Sequence, residues 1–191
     1  MRFWFGIIPA LLIVHLPAAN LFGPTGHGLA QMWEINPLQS VWLQAAFVIA
    51  YIARIPIGRF VTRVASDRFV FLVGFVLALT ASGLFFVYAN DFVWALVLLL
   101  IAGGAAGAMI YPALNMVAPT SGSPASIGLG LVIVLGWSAS IYLVQIAGTV
   151  NVGFLADFMP LGGGWNTIYL LTAVLGVTWL IPAYFLILKK T

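Results

Sequence analysis

Long apolar segments alternate with short polar ones along the whole sequence. A helix needs ~20 apolar residues to cross the ~30 Å hydrocarbon core of a bilayer, and each apolar segment is about that long or longer. The segments cover residues 3–22, 40–61, 69–89, 92–117, 125–155 and 165–188. The pattern predicts an all-α integral membrane protein, with six transmembrane helices in a single domain over residues 1–191.

The connecting segments carry typical loop residues. Residues 23–39, 118–124 and 157–164 are rich in Gly, Pro, Ser and Asn, and Asn90–Asp91 form a short break, so we expect loops there. The first apolar run resembles a signal peptide, but it continues past any cleavage site, and we interpret it as the first helix. The composition, 63% hydrophobic and 6% charged, excludes a soluble domain, which would need more polar surface.

The charges divide by sign between the two ends of the predicted helices. One end would carry all seven basic residues: Arg2, Arg54, Arg59, Arg63, Arg68, Lys189 and Lys190. The other end would carry Glu34, Asp91 and Asp157. Because Lys and Arg collect on the cytoplasmic side, we expect both termini in the cytoplasm, in the inner membrane of a bacterium. The net charge of +3 therefore indicates orientation and not a nucleic-acid partner.

Residues for catalysis or metal binding are scarce. The chain has no Cys, two His and four acidic residues, so disulfides, thiolate sites and metal sets are not expected. No phosphate-binding loop is present either. The sequence predicts a protein that is not an enzyme and that holds no cofactor.

Arg54 is the strongest candidate for a binding residue, because it falls inside the second predicted helix. An Arg at mid-membrane costs ~2.5–3.5 kcal/mol on insertion scales, so it usually faces protein, water or a ligand. Its planar guanidinium suits the oxygens of a small anion. The alternative is that Arg54 extends to the cytoplasmic interface, which its position four residues before Gly58 would allow.

Other polar residues at membrane depth could share this site. Tyr51, Tyr142 and Gln145 are the further candidates for substrate binding, and hydrogen bonding between helices is the alternative for each. His15 could relay a proton or be a packed, hydrogen-bonded histidine. Gly103-x-x-x-Gly107 predicts close helix packing.

The basic residues Arg59, Arg63 and Arg68 follow the second helix. They could anchor the topology by contacting lipid headgroups, at ~1 kcal/mol for each charge near an anionic leaflet. This cluster also has the position of a known loop motif.

The segment from Arg54 to Arg68 resembles the major facilitator superfamily, whose second and third spans are joined by Gly-x-Leu-x-Asp-Arg-x-Gly-Arg-Arg. Gly58 and Arg63 match, Phe60 replaces the Leu, and Thr62 replaces the Asp; an Asp-Arg pair follows five positions later, at Asp67–Arg68. The resemblance implies one six-helix half of a twelve-helix fold, built from two inverted three-helix repeats. It also implies a gating role for Gly58, Arg59, Arg63, Asp67 and Arg68, with Asp67 as part of a latch between helices.

Ala53-Arg54-Ile55-Pro56 is similar to the nitrate/nitrite porters of that superfamily, in which a Leu-Arg-x-Pro segment supplies an anion-binding Arg. By this resemblance, Arg54 is the anion-binding position. Span five carries Gly128, Gly130 and Gly136, similar to the glycine-rich signature of those porters, although Trp137 occupies a position where they have Asn.

Two functions follow from these observations. The first is a half-size secondary transporter that moves a small anionic solute as a homodimer or with a second membrane subunit. The second is a transport-inactive accessory or assembly subunit of a larger membrane complex. The altered loop motif favours the second function, whereas Arg54 and the polar residues of spans two and five favour the first.

Overall fold

The computed structural model describes residues 2–17, 34–88, 91–121, 124–149 and 166–187. Within these ranges the chain is helical and contains no strand, as predicted. The helices are α1 (Arg2–His15), α2 (Pro37–Val61), α3 (Asp67–Tyr88), α4 (Phe92–Ser121), α5 (Pro124–Thr149) and α6 (Asn166–Ile187).

Four segments of the described chain are long and apolar enough to cross a membrane. They are Pro37–Val61, Asp67–Tyr88, Phe92–Pro119 and Tyr169–Ile187, and two shorter apolar helices cover Trp4–His15 and Pro124–Ser138. This composition is compatible with a membrane location. The count of six spans stays a prediction.

Helix α2 begins earlier than the sequence pattern predicted. The Asn36 side chain accepts a hydrogen bond from the Gln39 amide, and the Gln39 side chain accepts one from the Asn36 amide, both at 2.9 Å. This reciprocal capping box, with Pro37 in the first turn, fixes the helix start three residues before Ser40. The predicted loop over residues 23–39 therefore extends too far.

Two further loop boundaries were wrong. Asp67 was placed in a loop but begins α3, where Ser66 Oγ accepts from the Phe69 amide at 3.3 Å and the acid suits the helix N-terminus. The predicted loop over residues 118–124 is helical as far as Ser121. Proline disfavours a helix interior because it removes one intrahelical hydrogen bond, but α4 continues through both Pro112 and Pro119.

The helices alternate in direction along the chain. Gly103 and Gly107 of α4 lie against the backbone of Phe47 and Tyr51 of α2, and the matching four-residue steps make these two helices parallel. Parallel contacts also join α1 to α5, whereas α3 runs antiparallel to both α4 and α6. Among the described residues, α2 packs chiefly on α4.

This arrangement collects the described charges as the sequence predicted. Gly6 of α1 lies against Ile187 of α6, and Gly58 of α2 lies against Ala108 of α4, so the start of α1 and the ends of α2, α4 and α6 share one end of the bundle. The turn after α2 adds Arg63 to that end, whereas Glu34 and Asp91 lie at the other. Which end faces the cytoplasm stays a prediction.

Candidate functional site

Arg54 lies in a groove between α2, α3 and α4, with an approximate volume of 420 Å³. Its aliphatic stem crosses the α4 backbone at Gly104, where a Cβ would lie 3.3 Å from Arg54 Cγ. The side chain is exposed, and no described residue forms a hydrogen bond or ion pair with it. The guanidinium is therefore available to a partner outside the described chain.

The course of the Arg54 side chain bears on the alternative that it extends to the membrane interface. Gly107 lies against Tyr51, three residues before Arg54, so Gly104 is farther from the α2 end at Val61 than Arg54 is. The stem thus crosses to α4 and is not directed along α2 toward its end at Val61. This geometry favours a partner within the groove.

The groove is otherwise apolar and has a floor of small residues. Gly58, Gly74, Gly104, Ala105 and Ala108 form the floor. Larger apolar residues of the three helices form the walls: Ile57, Val61, Phe69, Val70, Val73, Leu77, Leu100 and Ile101. Among the described residues, α2 and α3 make almost no contact with each other, so the groove opens sideways between them.

Tyr51, also predicted to bind substrate, does not line this groove. It is buried, and its hydroxyl lies 3.0 Å from Nε2 of the fully buried His15. His15 Nδ1 lies 2.6 Å from the Leu11 carbonyl oxygen. Because a carbonyl oxygen only accepts, Nδ1 carries the hydrogen, and Nε2 of the neutral ring accepts from Tyr51. The interpretation of His15 as a hydrogen-bonded packing residue is confirmed.

Three helices meet at the His15–Tyr51 pair. A Cβ at Gly136 of α5 would lie 3.1 Å from His15 Cβ, and the Phe47 ring stacks on Tyr51 with ring centroids 6.2 Å apart. The pair therefore joins α1 to α2 at a point where α5 packs against His15. The structure separates it from Arg54, so two predicted polar sites are distinct in the fold.

The remaining substrate-binding candidates are on α5. Tyr142 and Gln145 belong to the helix, but their side chains lie outside the described residues. Their part in substrate binding therefore stays a prediction.

The residues taken from the family motif lie on both sides of a tight turn between α2 and α3, and only Arg63 is in the turn itself. The Thr62 hydroxyl donates to the Arg59 carbonyl at 3.1 Å, and the Arg63 guanidinium carbon lies 5.1 Å from the centre of the Phe60 ring. Gly58, immediately before the turn, allows α2 to approach the Ala108 carbonyl. Arg68 follows in the first turn of α3.

Asp67 links two helices through a polar contact. Its carboxylate accepts a hydrogen bond of 3.0 Å from the Asn115 side chain of α4. The resemblance implied a latch between helices at Asp67. The structure shows a hydrogen bond between the Asp67 carboxylate of α3 and the side-chain amide of Asn115 of α4. The sequence alone did not pair Asp67 with Asn115, which is 48 positions away.

Metal ligands do not cluster in the part of the chain that the structure describes, where no three His, Asp or Glu side chains come together. Comparison with known protein families, curated proteins and solved structures found no match to the chain. The function is therefore inferred from the positions and contacts of the described residues.

We predict that Tyr51→Phe destabilises the protein by about 1–2 kcal/mol, because it leaves His15 Nε2 without its donor in a buried position. The control is Tyr88→Phe, since Tyr88 is 57% exposed. Unfolding in detergent micelles, followed by circular dichroism, would measure both changes. Equal stability of the two variants would contradict a structural role for the His15–Tyr51 bond.

Proposed function

We propose that the chain is one six-helix half of a membrane transporter of the major facilitator type, which moves a small anionic solute together with a second six-helix unit. That unit is a second copy of the chain or another membrane subunit. The transport site would use Arg54 to hold the anion.

The position of Arg54 carries this proposal. Arg54 lies seven residues before the end of α2, about 10 Å along the helix axis, and α2 is long and apolar enough to span a bilayer. A cation at that depth is costly unless a polar or anionic partner reaches it. No described residue is that partner, so a bound anion is the simplest way to stabilise the guanidinium.

The helix pairs support two related three-helix repeats. If α1, α2 and α3 were exchanged with α4, α5 and α6, the α2–α4 pair would become α1–α5, and α3–α4 would become α1–α6. The α3–α6 and α1–α4 pairs would map onto themselves. Each of these pairs is in contact, and α2–α4 and α1–α5 are both parallel, whereas the packing of α4 on α5 has no comparable counterpart between the described residues of α1 and α2. Inverted repeats of this kind are typical of secondary transporters.

The same proposal gives the orientation and the partner surface. The end with Arg59, Arg63 and Arg68 would face the cytoplasm, with both chain termini on that side of a bacterial inner membrane. The second unit would cover the faces of α1, α2, α4 and α5, because a single half cannot enclose a pathway.

One observation favours the alternative, an accessory subunit without transport. Tyr51 bonds to His15 and does not line the Arg54 groove, so these two predicted binding residues do not share one site. An accessory subunit would keep Arg54 for a carboxylate or carbonyl of a neighbouring chain.

Reconstitution separates the two functions. We expect the chain, purified in a mild detergent, to form particles of two six-helix units and to take up nitrate or acetate into liposomes. Native mass spectrometry and an uptake assay on the same preparation would check both expectations. A stable complex with unrelated subunits and no uptake would favour the accessory role. Single 20.5 kDa chains without uptake would contradict the transporter proposal.

A further inference from the structure

The residues that line the Arg54 groove indicate which kind of anion would fit it. Among the described residues that line the groove, Arg54 is the only charged one, and the others are apolar or glycine. A small hydrated anion would exchange its water for one guanidinium and no other side-chain donor. Apolar walls of this kind instead match a hydrocarbon chain attached to the anion.

The position of Arg54 along the membrane normal limits which ligands can reach its guanidinium. Helix α2 has 25 residues, about 37 Å of helix, so its ends extend beyond the ~30 Å hydrocarbon core. If the core is centred on the helix, Arg54 lies inside the core boundary, below the plane of the lipid headgroups. A compact carboxylate can descend to this level more easily than the bulky headgroup of a two-chain phospholipid.

We propose that the groove binds a fatty acid, with its carboxylate on Arg54 and its acyl chain along the walls. The planar guanidinium can bind both carboxylate oxygens. The chain would lie over Gly104 and between Leu77 of α3 and Ile101 of α4. The proposal rests on the proposed function and narrows its anionic solute to a carboxylate that carries an acyl chain, in place of a small hydrated anion such as nitrate.

The lateral opening gives the ligand a route from the bilayer. Since α2 and α3 do not close over the groove, a fatty acid in the membrane can enter sideways without leaving the hydrocarbon. A water-soluble anion gains nothing from this opening. The groove geometry thus favours a ligand that is already dissolved in the membrane.

A second groove provides an internal reference. It lies between α3 and α6 and has a volume of about 560 Å³, and its described lining consists of apolar residues and Tyr184, without a charged side chain. Phe69, Val73 and Leu77 of α3 line both grooves, so the two grooves are distinguished by labels on α4 and on α6. Leu180 and Ile181 are in its wall. A fatty acid and the matching fatty alcohol should occupy this reference groove equally.

Photolabelling tests the proposal on the full chain in phosphatidylcholine nanodiscs. The probes are a long-chain fatty acid with a diazirine in mid-chain and the matching alcohol. Peptide mass spectrometry would give the ratio of label at Leu100–Ile101 to label at Leu180–Ile181. We expect this ratio to be about ten-fold higher for the acid than for the alcohol, because only the acid forms charge-assisted hydrogen bonds with Arg54.

Three variants separate the head and chain contacts. Arg54→Gln should lower the acid ratio to that of the alcohol. Ile57→Trp should also lower it, because Ile57 is in the groove wall one turn from Arg54 and its 39% exposure leaves room for the larger ring. Ile181→Trp is the matched control, since Ile181 is 66% exposed in the reference groove and its replacement should leave labelling at Leu100–Ile101 unchanged.

Equal ratios for acid and alcohol would overturn the proposal. Preferential labelling of the groove by a diazirine phosphatidylglycerol would overturn it in favour of a bilayer phospholipid. The uptake assay distinguishes these failures from failure of the proposed function. If nitrate uptake depends on Arg54 but the acid and alcohol give equal labelling ratios, only the fatty-acid ligand is contradicted. If the acid labels the Arg54 groove selectively but is not taken up, the binding site is supported and the transport role is contradicted.

Discussion

Replacing Gly107 by alanine should destabilise the protein, whereas the same change at Gly130 should not. A Cβ at Gly107 would collide with the backbone carbonyl of Tyr51, which cannot move without displacing α2. Overpacking of this kind costs about 1–3 kcal/mol. Gly130 is exposed and has no atom within 4 Å of an added Cβ, so alanine there gains up to ~1 kcal/mol of helix propensity.

The two alanine variants therefore change stability in opposite directions. Thermal unfolding in detergent micelles would compare them, with Gly107→Leu as a larger change that should prevent recovery of folded protein. Gly103 provides a repeat of the test, since its added Cβ would meet the Phe47 carbonyl. If Gly107→Ala were as stable as Gly130→Ala, this result would contradict the close approach of the α2 and α4 backbones at Gly107.

This contact also affects the candidate site. Because α2 packs chiefly on α4 among the described residues, Gly103 and Gly107 hold the helix that carries Arg54. Separation of α2 from α4 would remove one wall of the groove. We therefore expect Gly107→Leu to lose any anion binding together with the fold, which is why the site itself must be tested with variants that leave α4 intact.

Features with a local signal could be predicted from the sequence. Apolar segment length predicts the long helices, and the Gly103-x-x-x-Gly107 spacing predicts the close packing, which is confirmed. The end of the bundle at which each charged segment lies could also be predicted, because successive helices run in opposite directions and only the number of helices between two charges is needed. These predictions need no knowledge of which helices are neighbours.

Contacts between distant residues could not be predicted in the same way. His15 bonds to Tyr51 and Asp67 bonds to Asn115, across 36 and 48 positions, and no periodicity relates such partners. The sequence grouped Tyr51 with Arg54 because both are polar residues at membrane depth, but packing buries Tyr51 and leaves Arg54 exposed. The helical segment Ala118–Ser121 was missed because its composition is typical of a turn.

Arg54→Lys should abolish anion uptake while expression and assembly stay near normal. The guanidinium is planar and can donate two parallel hydrogen bonds, whereas the ammonium of Lys is a point charge, so the two differ in geometry at equal charge. Loss of one charge-assisted hydrogen bond lowers affinity by about ten-fold or more. Arg2→Lys, at the first position of α1, is the control for an Arg-to-Lys change outside the groove.

The most direct test of the account is the rate of anion uptake into liposomes that contain the wild-type chain, Arg54→Lys or Arg2→Lys in equal amounts, with the yield of assembled particles measured beside it. We predict that Arg54→Lys loses uptake at normal particle yield and that Arg2→Lys retains both. A loss of particles before any loss of uptake would assign Arg54 to a contact between chains. Unchanged uptake in Arg54→Lys would contradict an anion site at this residue.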